Sequence, residues 1–350
     1  MASPAHHIWR NMIAPRLARS LAPRVATLLQ TSNAAPAQTA TTAATADQVG
    51  SLQIYKGYAD SDVELLKAFS QTGLHPQEHF ITDFLGGRTR TASLYESAGH
   101  LAGHVLGVPV PGDFHAEAVE WIGVIKTALT AERRYVAMEW GAGWGPWLIA
   151  GALAAKKRGI SDIKLYGVEA DPHHFRAMTQ HFIDNGFSPS DHVLLEAAIG
   201  AEAGTAEWPD EPDERNQWGA RPVREGSQQD TDYLLARVDR FLKVDVLEAR
   251  ALVLREPVWD MVHLDIQGWE GEVCRSCIDA LTERVRWVVI GVHSRIQDAE
   301  LLVIFHGAGW ILEHEKPTRF TYQQAQNSFE SMVAADGTQV WRNPKFAAST

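Results

Sequence analysis

From Asp113 onward, short apolar runs alternate with amphipathic stretches, the pattern of a parallel sheet covered by helices on both faces. Val119, Ile122, Ile125 and Leu129 recur at helical spacing and predict a helix over Glu117–Ala131. Tyr135–Val136–Ala137–Met138 reads as a buried strand, and the glycine turn Gly141–Ala142–Gly143–Trp144–Gly145 follows it. Pro146 stands where a first helical turn tolerates a missing N–H. The helix it opens is expected to run through Leu148, Ile149, Leu153 and Ala154 to about Lys157. The same grammar then repeats: Ile163–Val168 as a strand, Asp171–Pro172 as an N-cap followed by proline, and Gly186 beyond the helix end. Val193–Leu195, Met261–Ile266 and Trp287–Val292 predict the third, fourth and fifth strands. Ile311–Leu312 and Gln339–Trp341 are expected to close the sheet as a hairpin-like pair.

Two regions break the alternation. Residues 51–112 read as an accessory helical and loop segment whose clearest apolar face is Val63, Leu65, Leu66 and Phe69. Between 201 and 230, eight acidic residues stand against three basic ones, with prolines at 209, 212 and 222. That composition predicts an acidic insertion, either a lid or a solvated surface loop. The expected organisation is an N-terminal extension over 1–50, the accessory segment over 51–112, and a Rossmann-like domain over 113–346 that carries the insertion.

Composition narrows the class of protein. At 350 residues, 45% hydrophobic and 21% charged, the chain is long and apolar enough for a substantial core. A net charge of −11 argues against a general nucleic-acid binder, which needs Lys and Arg to neutralise phosphates. No run approaches the ~20 apolar residues of a membrane span. The first 46 residues contain no Asp or Glu, and Arg10, Arg16, Arg19 and Arg24 lie among apolar residues. Such a segment suits a transit peptide, a helix resting on an anionic membrane, or a frayed extension. The only cysteines, Cys274 and Cys277, are expected to be packed helical thiols in a reducing, cytoplasmic setting.

The candidate chemistry begins at the glycine turn. Glycines let the backbone reverse sharply after a strand and approach a ligand closely. A dinucleotide fingerprint would place a glycine where Pro146 stands, and Glu139 would repel a pyrophosphate. The same carboxylate can pair with the ammonium of an amino-acid-bearing cofactor, as in S-adenosylmethionine. Glu169, at the end of the second strand, is placed to accept hydrogen bonds from ribose hydroxyls.

Three segments together resemble the ordered motifs of the FkbM family of methyltransferases: Glu139–Trp140–Gly141–Ala142–Gly143–Trp144–Gly145, Gly167–Val168–Glu169–Ala170–Asp171–Pro172, and His263–Leu264–Asp265–Ile266–Gln267–Gly268–Trp269–Glu270. The resemblance covers roughly residues 119–315 and also matches Leu242–Leu247 to the segment preceding the family's fourth strand. It implies a class I methyltransferase sheet, mostly parallel with a C-terminal antiparallel strand, and S-adenosyl-L-methionine as cofactor, held by Glu139, Gly141, Gly143, Gly145, Glu169 and Ala198. It further implies O-methylation of a sugar, glycan or other small-molecule hydroxyl. The chain departs from the family pattern at Gln267 and Trp269, and Gly291 stands where many members carry a Glu.

Asp265, Glu270 and His293 are the candidate catalytic residues, since strand-four and strand-five ends face the cofactor crevice in this architecture. His293 titrates in the range suited to a base near neutrality. Trp144, Trp147 and Trp269 are candidate walls. His173 and His174 are expected to be exposed first-turn residues, and no metal site is expected. The alternative to an enzyme is a methyltransferase-like binding or assembly protein without turnover. The expected partner is the small-molecule or glycan acceptor, with peripheral membrane contact open through the N-terminus and the oligomeric state unread.

Overall fold

A computed structural model of the chain describes residues 56–210, 218–223, 240–324 and 332–346. The predicted extension over 1–50 lies outside them, as do 211–217 and 224–230 of the acidic stretch. In chain order, α1 (Asp60–Phe69), β1 (Phe80–Thr82), β2 (Arg88–Arg90) and β3 (His104–Val105) precede α2 (Ala118–Thr130), β4 (Arg134–Trp140) and α3 (Pro146–Lys157). Next come β5 (Asp162–Glu169), α4 (Pro172–Asp184), β6 (Val193–Glu196), β7 (Ala198–Gly200), β8 (Gly204–Pro209) and β9 (Phe241–Glu248). The remainder is α5 (Ala249–Val253), β10 (Met261–Leu264), α6 (Glu270–Arg284), β11 (Trp287–Val292), α7 (Arg295–Gly307), β12 (Ile311–Lys316), β13 (Arg319–Phe320), β14 (Val333–Ala335) and β15 (Gly337–Arg342).

The main sheet has seven strands in the order β12-β15-β11-β10-β4-β5-β6. The strands from β11 to β6 are mutually parallel, and β15 runs antiparallel to both β11 and β12. This is the expected mostly parallel, Rossmann-like α/β sheet with antiparallel pairing at its C-terminal edge. The last two strands do pair with each other, but β15 slots inside, next to β11, and leaves β12 at the edge.

Strand parity sorts the side chains into two layers. Tyr135, Ala137 and Met261 pack with α1 to α4. Val136, Met138, Trp140, Val262 and Leu264 pack with α5 to α7. Glu139 and His263 share the parity of the first set and are directly opposite each other across β4 and β10. Both side chains are therefore carried toward the α2–α3 layer, where apolar neighbours leave them few polar partners.

Several local expectations change. β10 ends at Leu264, two residues before the expected Ile266: the Asp265 N–H still donates to the Trp140 carbonyl, but the chain then turns at Gln267 and Gly268, whose φ values are +55° and +99°. The accessory segment is more than helix and loop: β1, β2 and β3 form a small sheet of their own. The first part of the acidic stretch is strand, since β8 pairs antiparallel with β9 and Trp208 is buried. His174 is buried, not exposed, because its ring stacks on Trp218 at 4.0 Å. No helix among the described residues is long and apolar enough to cross a membrane.

Candidate functional site

A cleft opens at the carboxyl ends of β4, β5 and β10, where parallel strands deliver their last side chains to a common edge. Its floor is the glycine turn. Gly141, Gly143 and Gly145 have φ of +69°, +55° and +73°, a left-handed backbone in which a Cβ is strained. The turn is tied to β5 by the Gly141 and Ala142 N–H groups, which both donate to the Val168 carbonyl.

Glu139 and Glu169 both line this cleft, together with Ala198, Gly141 and Gly143. Gly145 caps α3 at the turn's far end. Glu139 is buried, and its Oε2 accepts the Leu148 N–H at 3.1 Å, one of the orphan donors at the start of α3. Burial holds its carboxyl well above the ordinary range, the Leu148 N–H opposes this, and the neighbouring Glu120 charge adds to it. Glu169 accepts the Gly143 N–H at 2.7 Å and the Asp171 N–H at 2.8 Å, so it staples the glycine turn to the start of α4. Burial raises its carboxyl too, and His174 pulls it down.

The three candidate catalytic residues form a compact set. His293 holds Asp265 Oδ1 through Nε2 and Glu270 Oε1 through Nδ1, each at 3.0 Å. Glu270 is fully buried and accepts the N–H groups of Ile266 and Gly268, so it shapes the loop after β10. Burial disfavours the His293 imidazolium, but Asp265 and Glu270 outweigh that and hold its pKa well above the ordinary value. Asp265 is correspondingly lowered, with the His293 charge overcoming desolvation. Asp265 lines the cleft, whereas Glu270 and His293 do not. The ligating atoms of the three lie within 4.8 Å of one another, close enough for a metal ion, yet each ring nitrogen already faces its own carboxylate.

The cleft also recruits residues that the linear pattern did not single out. Tyr95 comes from the accessory segment, His115 from the stretch just before α2, Glu120 from α2 itself, Trp208 and Trp218 from the acidic stretch, and Asp336 from the turn between β14 and β15. Trp218 packs over the glycine turn, where a Cβ on Gly143 would meet its ring at 3.2 Å, and meets Trp144 edge-on at 4.8 Å. The buried indole N–H groups of Trp144, Trp208 and Trp218 have no hydrogen-bond partner among the described residues. Unpaired buried donors are costly, so three around one cavity point to a ligand with acceptors. A second cavity shares Asp265, Asp336, His115 and Glu120 with the first and continues past His293 to Lys316 and Arg319. Only the aromatic character of Trp208 and Trp218 set them apart in the sequence; Glu120 and Asp336 gave no local signal, and His263 stood at the head of a motif with no role attached to it.

Cys274 and Cys277 lie buried and unbridged on α6, among apolar residues and away from the cleft.

No family model matches the chain. It is 29% identical over 282 residues to a "Putative methyltransferase" of Jannaschia sp. (strain CCS1), an alignment covering 80% of this chain and 98% of that protein. Among solved structures it is similar to precorrin-6y C5,15-methyltransferase from Geobacter metallireducens GS-15, with TM-score 0.35 and 11% identity over 65% of this chain and 89% of that one. It is also similar to ribosomal protein L11 methylase from Lactobacillus delbrueckii subsp. bulgaricus, with TM-score 0.34 and 11% identity over 69% and 86% of the two chains.

Proposed function

We propose that the chain is an S-adenosylmethionine-dependent methyltransferase acting on a hydroxyl oxygen of a sugar, glycan or other small-molecule acceptor. One observation carries the reading. Among the described residues, the cleft at the strand ends is lined by five carboxylates, Glu120, Glu139, Glu169, Asp265 and Asp336, and by no Lys or Arg. Such a field favours a cationic ligand and repels a pyrophosphate. The likeness to FkbM motifs and the Jannaschia relative support the same assignment.

When bound, the cofactor supplies a methyl group already activated by its sulfonium. In this proposal Glu139 binds the amino-acid end, Glu169 the ribose, and Trp208 and Trp218 wall the pocket. The second cavity receives the acceptor. His293, held as a cation between two carboxylates, is unsuited to take a proton; it fixes Asp265, which orients the acceptor hydroxyl. Asp336 is the better base. It faces both cavities without a hydrogen bond or ion pair among the described residues. Partial withdrawal from water raises its carboxyl, His293 lowers it, and Asp265, Glu120 and Glu270 raise it. Asp336 would accept the proton released by the acceptor hydroxyl, while Glu139 and Glu169 would hold the cofactor that supplies the methyl group.

Calorimetric titration with S-adenosylhomocysteine and with NAD tests the cofactor assignment, which expects binding of the first alone. Tight binding of NAD in its place would reject it. Binding of S-adenosylhomocysteine with no labelled methyl passed to any component of a host lysate would favour the assembly protein instead.

A further inference from the structure

The deep end of the cleft holds a polar pair that the mechanism above does not use. His263 is 1% exposed in the middle of β10, a position otherwise filled by apolar residues. Its Nε2 meets Glu120 Oε1 at 2.8 Å. Its Nδ1 is buried and has no hydrogen-bond partner among the described residues. The nearest charged atom is Glu139 Oε1, at 3.8 Å, beyond hydrogen-bond reach. All three side chains line the cleft, and the Trp147 ring lies over the imidazole at 5.6 Å, limiting its rotation.

Two features make this arrangement incomplete. A carboxylate on Nε2 takes the ring proton there, which leaves Nδ1 with its lone pair and therefore an acceptor. With Glu139 ionised, the gap between Nδ1 and Glu139 Oε1 is bounded by two acceptors and no donor. Burial and the neighbouring Glu120 charge also oppose ionisation of Glu139, and a cation seated between the two carboxyls would offset that cost. A primary ammonium answers both demands, since it brings three donors and one positive charge.

We propose that His263 is a binding residue for a ligand's primary ammonium group, accepting one of its hydrogen bonds at Nδ1 beside Glu139, with Glu120 as the positioning residue that sets the tautomer. The inference rests on the cofactor reading above and deepens it: recognition of the aminoacyl end is shared between β4 and β10, not confined to the residue ahead of the glycine turn. The strand register that sets His263 opposite Glu139 is what makes the shared site.

The test compares two ligands that differ at that end. S-adenosylhomocysteine carries the aminoacyl group, and 5′-methylthioadenosine lacks it. His263→Phe is expected to weaken the first by about ten-fold or more, as loss of a hydrogen bond to a charged group does, and to leave the second within about two-fold. His263→Asn, which keeps an acceptor near the Nδ1 position, is expected to recover part of the loss. Should His263→Phe fail to melt cooperatively, Glu120→Met gives the same comparison, with a smaller selective loss expected. Equal weakening of both ligands, or no weakening of either, overturns the inference while leaving the cofactor assignment standing. A parent protein that binds neither ligand overturns both.

Discussion

Gly141 and Asp265 touch so closely that a Cβ on the glycine would fall 1.8 Å from the aspartate's carbonyl oxygen. The turn after β4 and the loop after β10 are therefore pressed together at the mouth of the cleft. Gly141→Ala combines this collision with a φ of +69° and is expected to cost about 3 kcal/mol or more. Gly204→Ala, with open space around it, should stay within about 0.5 kcal/mol of the parent. Urea denaturation of the two variants measures the difference, and equal midpoints would contradict the contact.

Glu169→Ala is expected to weaken S-adenosylhomocysteine by one to two orders of magnitude, on the scale of ~1.5–3 kcal/mol for hydrogen bonds to a charged group. Calorimetry on a variant that still melts cooperatively decides the point. An unchanged affinity would remove Glu169 from the ribose site.

His293 and Asp265 predict a pH signature. The His293 pKa is raised in the folded protein, so its contribution is fully present below about pH 6.5 and is lost as pH rises through the raised value. Asp265 is lowered, so its contribution is present above about pH 3.9 and is lost as pH falls through the lowered value. His293→Ala should therefore be most destabilising between those limits, by about 2 kcal/mol, a figure already discounted because the Asp265 side chain is 39% exposed. Melting curves from pH 4 to pH 10 should show the gap between parent and variant narrowing toward the alkaline end; a constant gap would mean that His293 is not charged.

With an acceptor in hand, Asp336→Asn should lower single-turnover methyl transfer roughly 10²–10⁴-fold while S-adenosylhomocysteine affinity stays within about two-fold. Near-parental transfer would remove Asp336 from the role of base.

The two cysteines should be silent. Burial raises both thiols, Cys277 to about 12, so neither presents a thiolate near neutrality. A coloured disulfide reagent should titrate no Cys274 or Cys277 thiol in the native protein and two in denaturant. Rapid native labelling would show that α6 opens.

What the sequence conveys is mainly local. The apolar spacing that predicts α2, α3 and the strand Trp287–Val292 depends on a few turns of chain, and those elements appear where expected. The placement of Glu139 and Glu169 at the strand ends was legible because each closes an apolar strand just ahead of a glycine or Asp–Pro signal. His174 was misread because the ring that buries it, Trp218, is 44 positions away in a segment without periodicity. His263 was hidden for a related reason: a lone His inside an apolar run looks like core until strand register sets it opposite Glu139. Asp336 reaches the cleft only because β15 enters the sheet beside β11, an adjacency that no short-range pattern encodes.

The same slot for β15 orders events on the ribosome. Residues 337–342 are bonded on both flanks, to β11 and to β12, both of which are translated earlier. Until residue 342 leaves the exit tunnel, β11 presents a bare, apolar edge and β12 has nothing to join. A nascent chain stalled in that interval offers the template on which strands of other molecules aggregate. Assembly of this sheet is thus a late and non-local step.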